Sequence, residues 1–207
     1  MKNIGLCLLA AGQSKRFGTA KALLSFHSKP MIQYLLEQIG WEKYATRCIV
    51  LGAHETQIST QLPQIYHTDI IFNPTFAEGM STSLQIGLDY LKTKNPHLEA
   101  VIYLAIDQPF LTKTLIDQLC QTWQKSANPQ KQIIACEYNK NTFGIPTLLP
   151  KAYWNALYDL KGDIGAKTII KQNIMDTQFV SFPEGIWDID TPEDLQKILE
   201  YILQQYS

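Results

Sequence analysis

The chain has 207 residues, 45% of them hydrophobic and 18% charged, proportions that suit a globular protein burying a real core. Its 18 Lys and Arg against 19 Asp and Glu leave a formal charge of −1, so the chain as a whole exerts no pull on nucleic acid or an anionic membrane surface. Any recognition of phosphate must be local. Cys7, Cys48, Cys120 and Cys136 lie far apart with no CxxC pair, which excludes a disulfide scaffold and a cysteine zinc site and suits a reducing cytoplasm. His27, His54, His67 and His97 show no metal-ligand spacing, and surface or capping roles are expected for each. The apolar stretch before Gly12 is too short for a signal peptide or a membrane span, which points to a soluble, cytoplasmic protein.

In chain order, short apolar runs alternate with segments of helical period. Ile4–Leu9, Arg47–Leu51, Asp69–Phe72, Ala100–Ile106 and Gln132–Glu137 read as strands, and two of these, "CIVL" and "AVIYLAI", are apolar throughout, as strands covered on both faces must be. Met31–Ile39, His54–Gln61, Ser81–Leu91 and Thr112–Gln124 read as amphipathic helices between them. Farther on, Lys151–Tyr158 and Gly165–Gln172 read as helices and Phe179–Phe182 as a strand. Thr191–Gln205 reads as a terminal helix with Thr191 as cap, Pro192 in the first turn and Asp194 three residues past the cap. Asn128–Gln132 and Tyr138–Gly144 read as polar connections. The alternation predicts one α/β domain over residues 1–207, Rossmann-like, with a mostly parallel sheet and helices on both faces.

The first strand ends in "LAAGQSKRFGTAK" (Leu9–Lys21), a turn nearly free of side chains followed by three cations, Lys15, Arg16 and Lys21. Ligands of open α/β sheets bind beyond the carboxyl ends of the strands. Small residues at Ala10, Ala11 and Gly12 let a ligand approach the backbone, whose free N–H groups can cradle phosphate while Arg16 grips it in bidentate fashion. A solvated surface loop is the bland alternative. Neither better-known phosphate loop fits: five residues rather than four separate Gly12 from Gly18, and Ala10 breaks GxGxxG.

Asp107 ends the most apolar strand and should emerge at the same edge. Beside a triphosphate its carboxylate would need a cation between them, and Mg²⁺, which favours one or two carboxylates with phosphate and water, is the natural one; a turn-forming role before Gln108-Pro109 is the competing reading. In "WDIDTPEDL", Asp188 and Asp190 share a face if the segment is extended, and either is a candidate second carboxylate, against a role at the helix start. Glu193 and Asp194 are assigned to that structural role. In "EGMSTSL" the hydroxyls of Ser81, Thr82 and Ser83 at a helix start can read the edge of a base, or Ser81 can simply cap the helix; Gly79 marks a place where backbone comes close to something.

These stretches together resemble one family. "LAAGQSKRFGTAK" is similar to the LAAGxSxRMGxxK signature of nucleotidyltransferases with the nucleotide-diphospho-sugar transferase type of α/β fold, and most of all to the molybdenum cofactor cytidylyltransferase group. "NPTFAEGMSTSLQIGL", "IDQPFLT", "GIPTLLP", "LKGDIGAKTII" and "WDIDTPEDL" follow in the order that group shows, along nearly the full chain.

The resemblance implies an enzyme that transfers CMP from CTP to the phosphate of molybdopterin, with pyrophosphate released and a client molybdoenzyme as a possible partner. It implies catalytic roles for Lys21, Arg16 and Asp107, and Mg²⁺ on Asp107 and Asp190. Leu9, Ala10, Ala11, Gly12, Ser14, Lys21, Asn73, Gly79, Ser81 and Ser83 would hold the nucleotide, and Gly162, Asp163 and Lys167 the acceptor. Lys167 stands where the group usually has Arg, losing the planar fork, and His27 stands where many relatives have Gly. Related readings are a nucleotidyltransferase using GTP or a sugar or polyol phosphate, and a non-catalytic module that binds and delivers a cofactor. A glycosyltransferase using Asp188-Ile189-Asp190 as a DxD motif would leave the first loop's cations without employment.

Overall fold

The computed structural model describes residues 3–14, 16–62 and 69–205; Lys15 and His67 lie outside them. Among the described residues nine strands are formed: β1 (Ile4–Ala10), β2 (Ser25–Phe26), β3 (Lys29–Pro30), β4 (Arg47–Leu51), β5 (Ile70–Phe72), β6 (Ala100–Ala105), β7 (Ile133–Asn139), β8 (Thr142–Pro150) and β9 (Thr177–Ser181). The helices are α1 (Met31–Gln38), α2 (Glu55–Gln61), α3 (Met80–Lys94), α4 (Lys113–Lys125), α5 (Trp154–Tyr158), α6 (Ala166–Gln172) and α7 (Pro192–Gln205). Every strand and helix expected from the sequence is present to within a few residues.

Seven strands build one sheet in the order β5-β4-β1-β6-β8-β7-β9. β1 pairs in parallel with both β4 and β6, β4 with β5 and β7 with β9, while β8 runs antiparallel to β6 and β7. The sheet divides two cores. Leu6 and Leu8 of β1 face one, with Leu35, Trp41, Ile116 and Leu119; Cys7 and Leu9 face the other, with Leu84, Leu88, Trp154 and Ile169. Both faces of β1 are therefore buried, which is why its sequence is apolar without alternation. Full burial of a leucine contributes about 2 kcal/mol, so β1 alone anchors the sheet strongly.

β8 was not expected, and Gly144 and Pro146 are the reason: proline gives no ladder hydrogen bond and glycine packs nothing. The register shows how both are tolerated. Ala135 pairs with Thr147 but Cys136 with Gly144, so Ile145 and Pro146 bulge out of the ladder. Gln108 Nε2 donates to the bulge carbonyl of Ile145 at 3.0 Å, and the Tyr138 hydroxyl donates to it as well.

His27 also finds its explanation. β2 and β3 are joined by His27 (φ +49°) and Ser28 (φ +63°), a two-residue hairpin with both central residues left-handed. Glycine is the easy choice there. His27 instead stacks on Tyr34, with ring centroids 5.2 Å apart and planes 15° from parallel.

At α4, Thr112 Oγ1 accepts from the Leu115 N–H at 3.2 Å. At α7, Thr191 and Asp194 form a reciprocal capping box: Thr191 Oγ1 accepts from Asp194 N at 3.2 Å, and Asp194 Oδ2 accepts from Thr191 N at 2.9 Å. Among the described residues no helix is long and apolar enough to cross a membrane.

Candidate active site

From β1 the chain passes to β4 and β5 on one side, then returns to β6 on the other, so the strand order reverses around β1. A crevice must open at the carboxyl ends of β1 and β6, where the loops part in opposite directions. Leu9 pairs with Ala105 there, and Ile106 N donates to Leu9 O at 3.1 Å. A cleft of about 810 Å³ occupies the spot, lined by Leu9–Ser14, Arg16, Ala20–Ala22, His54, Ile58, Phe76, Ala77, Gly79, Met80, Ser83, Ala105–Asp107, Ile145, Asp163 and Asp190.

The first loop is closed by Ser14, whose φ of +49° turns the chain. Its carbonyl accepts from Phe17 N at 2.9 Å and its Oγ from Lys21 N at 3.1 Å, which leaves the hydroxyl proton free to be donated into the cleft. A Cβ built on Gly12 would meet nothing within 4 Å. The protein itself does not need a glycine at that position; the room there belongs to the cleft.

The C-terminal segment folds back to the same edge. Ile189 N donates to the Asp107 carbonyl at 2.9 Å, which lays Asp188 and Asp190 beside the end of β6. Lys21 Nζ stands between two carboxylates, 2.5 Å from Asp190 Oδ1 and 3.7 Å from Asp107 Oδ2, with Arg16 Nη1 3.8 Å from Asp190 Oδ2. Part of the Asp107 side chain opens on the cleft, but the protein encloses the rest; burial raises its pKa foremost, and the Lys21 ammonium works against that rise. Asp188 is exposed yet crowded. Surrounding protein, then Asp107 and Asp190, push it up to about 6, against the pull of Lys21 and Gln108.

Among the described residues no three His, Cys, Asp or Glu side chains converge on a metal position. The protein contributes two carboxylates, Asp107 and Asp190, joined by one ammonium. That donor set fits a hard divalent ion whose remaining positions are filled by phosphate oxygens and water, and does not fit a site complete in protein ligands alone.

Of the other residues the sequence singled out, Gly79, Ser83 and Asp163 line the cleft. Asn73 does not. It is 0% exposed, and its amide is fully committed: Nδ2 donates to Thr82 Oγ1 and Ser83 Oγ at 2.9 Å, and Oδ1 accepts from Thr75 N and Oγ1 at 3.0 Å. Its place is behind the site, holding the start of α3. Ser81 is buried, lines no part of the cleft, and does not cap the helix; Gly79 is the capping residue, and Ser81 N donates to Gly162 O at 3.1 Å. Gly79 does meet close backbone, but that of this chain: with φ +115°, a Cβ there would lie 2.2 Å from the Gly162 carbonyl carbon. Gly162 and Lys167 are outside the lining, and Lys167 Nζ lies 5.9 Å over the Phe143 ring.

His54 corrects an expectation. It occupies the capping position of α2 but makes no side-chain cap; its Nε2 lies 3.1 Å from Gln13 O, tethering the first loop across the cleft. The strand-end rule would have found it, because His54 follows β4 as closely as the glycine turn follows β1. Gln13, Phe76 and Ile145 were missed as well.

Residues 6–177 match the model of the MobA-like NTP transferase domain. The chain belongs to that family. Among curated proteins none matches it. Its fold is shared with several solved structures. Rv0371c from Mycobacterium tuberculosis H37Rv superposes with a TM-score of 0.80 at 21% identity, over 95% of this chain and 98% of that one. The 4-diphosphocytidyl-2C-methyl-D-erythritol synthase from Anaerococcus prevotii gives 0.74 at 15% identity, over 98% and 99%. Molybdopterin-guanine dinucleotide biosynthesis protein A from Archaeoglobus fulgidus gives 0.62 at 16% identity, over 97% and 99%. This NTP transferase shares with them its α/β fold, built on a mostly parallel sheet.

Proposed function

We propose that this NTP transferase moves the CMP group of CTP onto the phosphate of molybdopterin and releases pyrophosphate. The observation that carries a nucleotidyl transfer is the meeting of Lys21 and Arg16, from the glycine turn, with Asp107 and Asp190 at the mouth of one cleft. Such a reaction needs alignment and charge stabilisation rather than a protein nucleophile. In keeping with that, the histidine in the cleft bonds a backbone carbonyl and not a serine or cysteine.

Lys21 meets the charge that grows at the α-phosphate. Arg16, 72% exposed at the mouth, and the backbone N–H groups of Ala11–Gln13 hold the leaving pyrophosphate, with the Ser14 hydroxyl donating beside them. Mg²⁺ held by Asp107 and Asp190 would supply Lewis-acid neutralisation of the phosphate oxygens. The backbone of Leu9–Gly12 with Gly79 and Ser83 receives the nucleoside, and Asp163 faces the acceptor. Asn73 and Ser81 serve this arrangement from behind, by fixing where α3 begins.

The choice of cytosine and of molybdopterin rests on the resemblance of the six quoted stretches to the cytidylyltransferase group. Four buried free thiols support a reducing cytoplasm as the place of work, and a client molybdoenzyme is the expected recipient of the product. Incubation with each nucleoside triphosphate, Mg²⁺ and molybdopterin tests the reading: a cytosine dinucleotide product with stoichiometric pyrophosphate supports it. Preference for GTP, or for a sugar or polyol phosphate, moves it to a related activity, and binding without turnover makes it a carrier.

A further inference from the structure

We propose that Lys21 holds the acidic pair closed to a divalent ion until a triphosphate arrives, so that metal and nucleotide enter as one unit. The proposal rests on the nucleotidyl-transfer reading for the identity of the second ligand. Its evidence is the position of one ammonium. Lys21 Nζ fills the gap between Asp107 and Asp190, and its side chain is only 15% exposed, against 72% for Arg16, which reaches Asp190 from the solvent side. The place where a cation is wanted already holds one.

A divalent ion arriving alone must expel that ammonium, because Asp107 and Asp190 are both paired with Lys21; the other acids at hand are Asp163, on the loop crossing Gly79, and the exposed Asp188 beside the same pair. The expelled cation would then sit beside the incoming one. A triphosphate removes the conflict by giving Lys21 and Arg16 phosphate oxygens to bind, which frees both carboxylates for the metal. Four ionic partners are exchanged, and no covalent bond is made or broken. Only the side chain of Lys21 needs to swing, because its backbone N–H is pinned to Ser14 Oγ at 3.1 Å, and a lysine stem is flexible enough to do so.

Titration of Mn²⁺ into the full chain without nucleotide, followed by the free-ion paramagnetic signal and by calorimetry, tests this. The unmodified protein should bind Mn²⁺ weakly alone and about tenfold or more tighter with a non-hydrolysable CTP analogue, within the span usual for coupled sites. Lys21→Met should bind Mn²⁺ alone about tenfold tighter than the unmodified protein, and the double variant Lys21→Met/Asp190→Asn should lose that gain. Equal Mn²⁺ affinity in Lys21→Met and the unmodified protein overturns the proposal, as does Mn²⁺ binding left unchanged by an analogue that calorimetry shows to be bound. Circular dichroism checks that the variant is folded; if it is not, the comparison with and without analogue decides alone. Turnover with a different base or acceptor overturns the cytidylyl reading instead, and leaves the nucleotide-free titration of the variant untouched.

Discussion

The backbone N–H of Ile189 donates to the carbonyl of Asp107 at 2.9 Å, joining the segment before α7 to the end of β6. Asp190 lies beyond the residues matched by the family model, which end at 177, and it is brought to the cleft by this backbone bond at its neighbour Ile189 and by its ion pairs with Lys21 and Arg16. Placing an acid from the far end of the chain within reach of the first loop therefore depends on how α7 begins.

The capping box sets that beginning, and Asp194 Oδ2 also accepts from the Asp190 N–H at 3.3 Å. Asp194→Ala should cost about 1 kcal/mol in urea unfolding, the usual worth of a lost cap. It should also lower turnover, because the backbone carrying Asp190 is released. Asp194→Glu, which keeps the reciprocal bond of a capping box, should recover most of both. Loss of stability with turnover intact would show that Asp190 is held by other means.

Gly12 separates the needs of the fold from those of the ligand. With open space around its missing Cβ and a backbone outside the left-handed region, Gly12→Val should leave the melting temperature nearly unchanged, within about 0.5 kcal/mol of stability. If a triphosphate packs on this turn, the same substitution should weaken its binding at least tenfold by calorimetry. Unchanged binding would move the phosphates elsewhere in the cleft.

Gly79 and Gly162 make the opposite comparison. Both have positive φ, +115° and +64°, but only at Gly79 would a Cβ strike backbone. Gly162→Ala should cost about 1 to 2 kcal/mol, the penalty of left-handed backbone alone. Gly79→Ala should cost more than about 3 kcal/mol, since the 162–163 loop must be pushed off the start of α3. Chemical unfolding of the two variants side by side checks the order.

What the sequence could and could not show follows from the same physics. β1, β4 and β6 were legible because burial on both faces forces an unbroken apolar run, α4 because Leu115, Ile116, Leu119 and Trp123 recur at helical spacing on its buried face, and α7 because Thr191 caps it with its own side chain. β8 was hidden because its bulge absorbs the two residues that argue against a strand. In the site, Lys21, Arg16, Asp107 and Asp190 meet as the strand-end rule and the motifs led one to expect. Asn73 was given to the nucleotide by the resemblance alone, since an Asn in a motif carries no mark of its partners; in the fold its amide bonds Thr75, Thr82 and Ser83, all within its own loop and helix. Lys167, given to the acceptor by the resemblance, lies outside the cleft lining with its ammonium 5.9 Å over the Phe143 ring, a neighbour that a sequence cannot show.

Lys21 is the residue on which a catalyst and a carrier differ most. A carrier needs affinity, and with Arg16 and the loop N–H groups intact, Lys21→Met should retain most of its affinity for the triphosphate, within about tenfold. A catalyst needs the ammonium where charge builds up in the transition state, and losing one such donor costs on the order of 10² to 10³ in turnover. Single-turnover rates at saturating CTP, set beside the dissociation constant measured on the same variant, separate the two effects. A large fall in rate with a small change in affinity identifies Lys21 as acting on the transition state. Equal losses in both would mean that it does no more than bind, and the carrier reading would then account for the cleft as well as the transferase does.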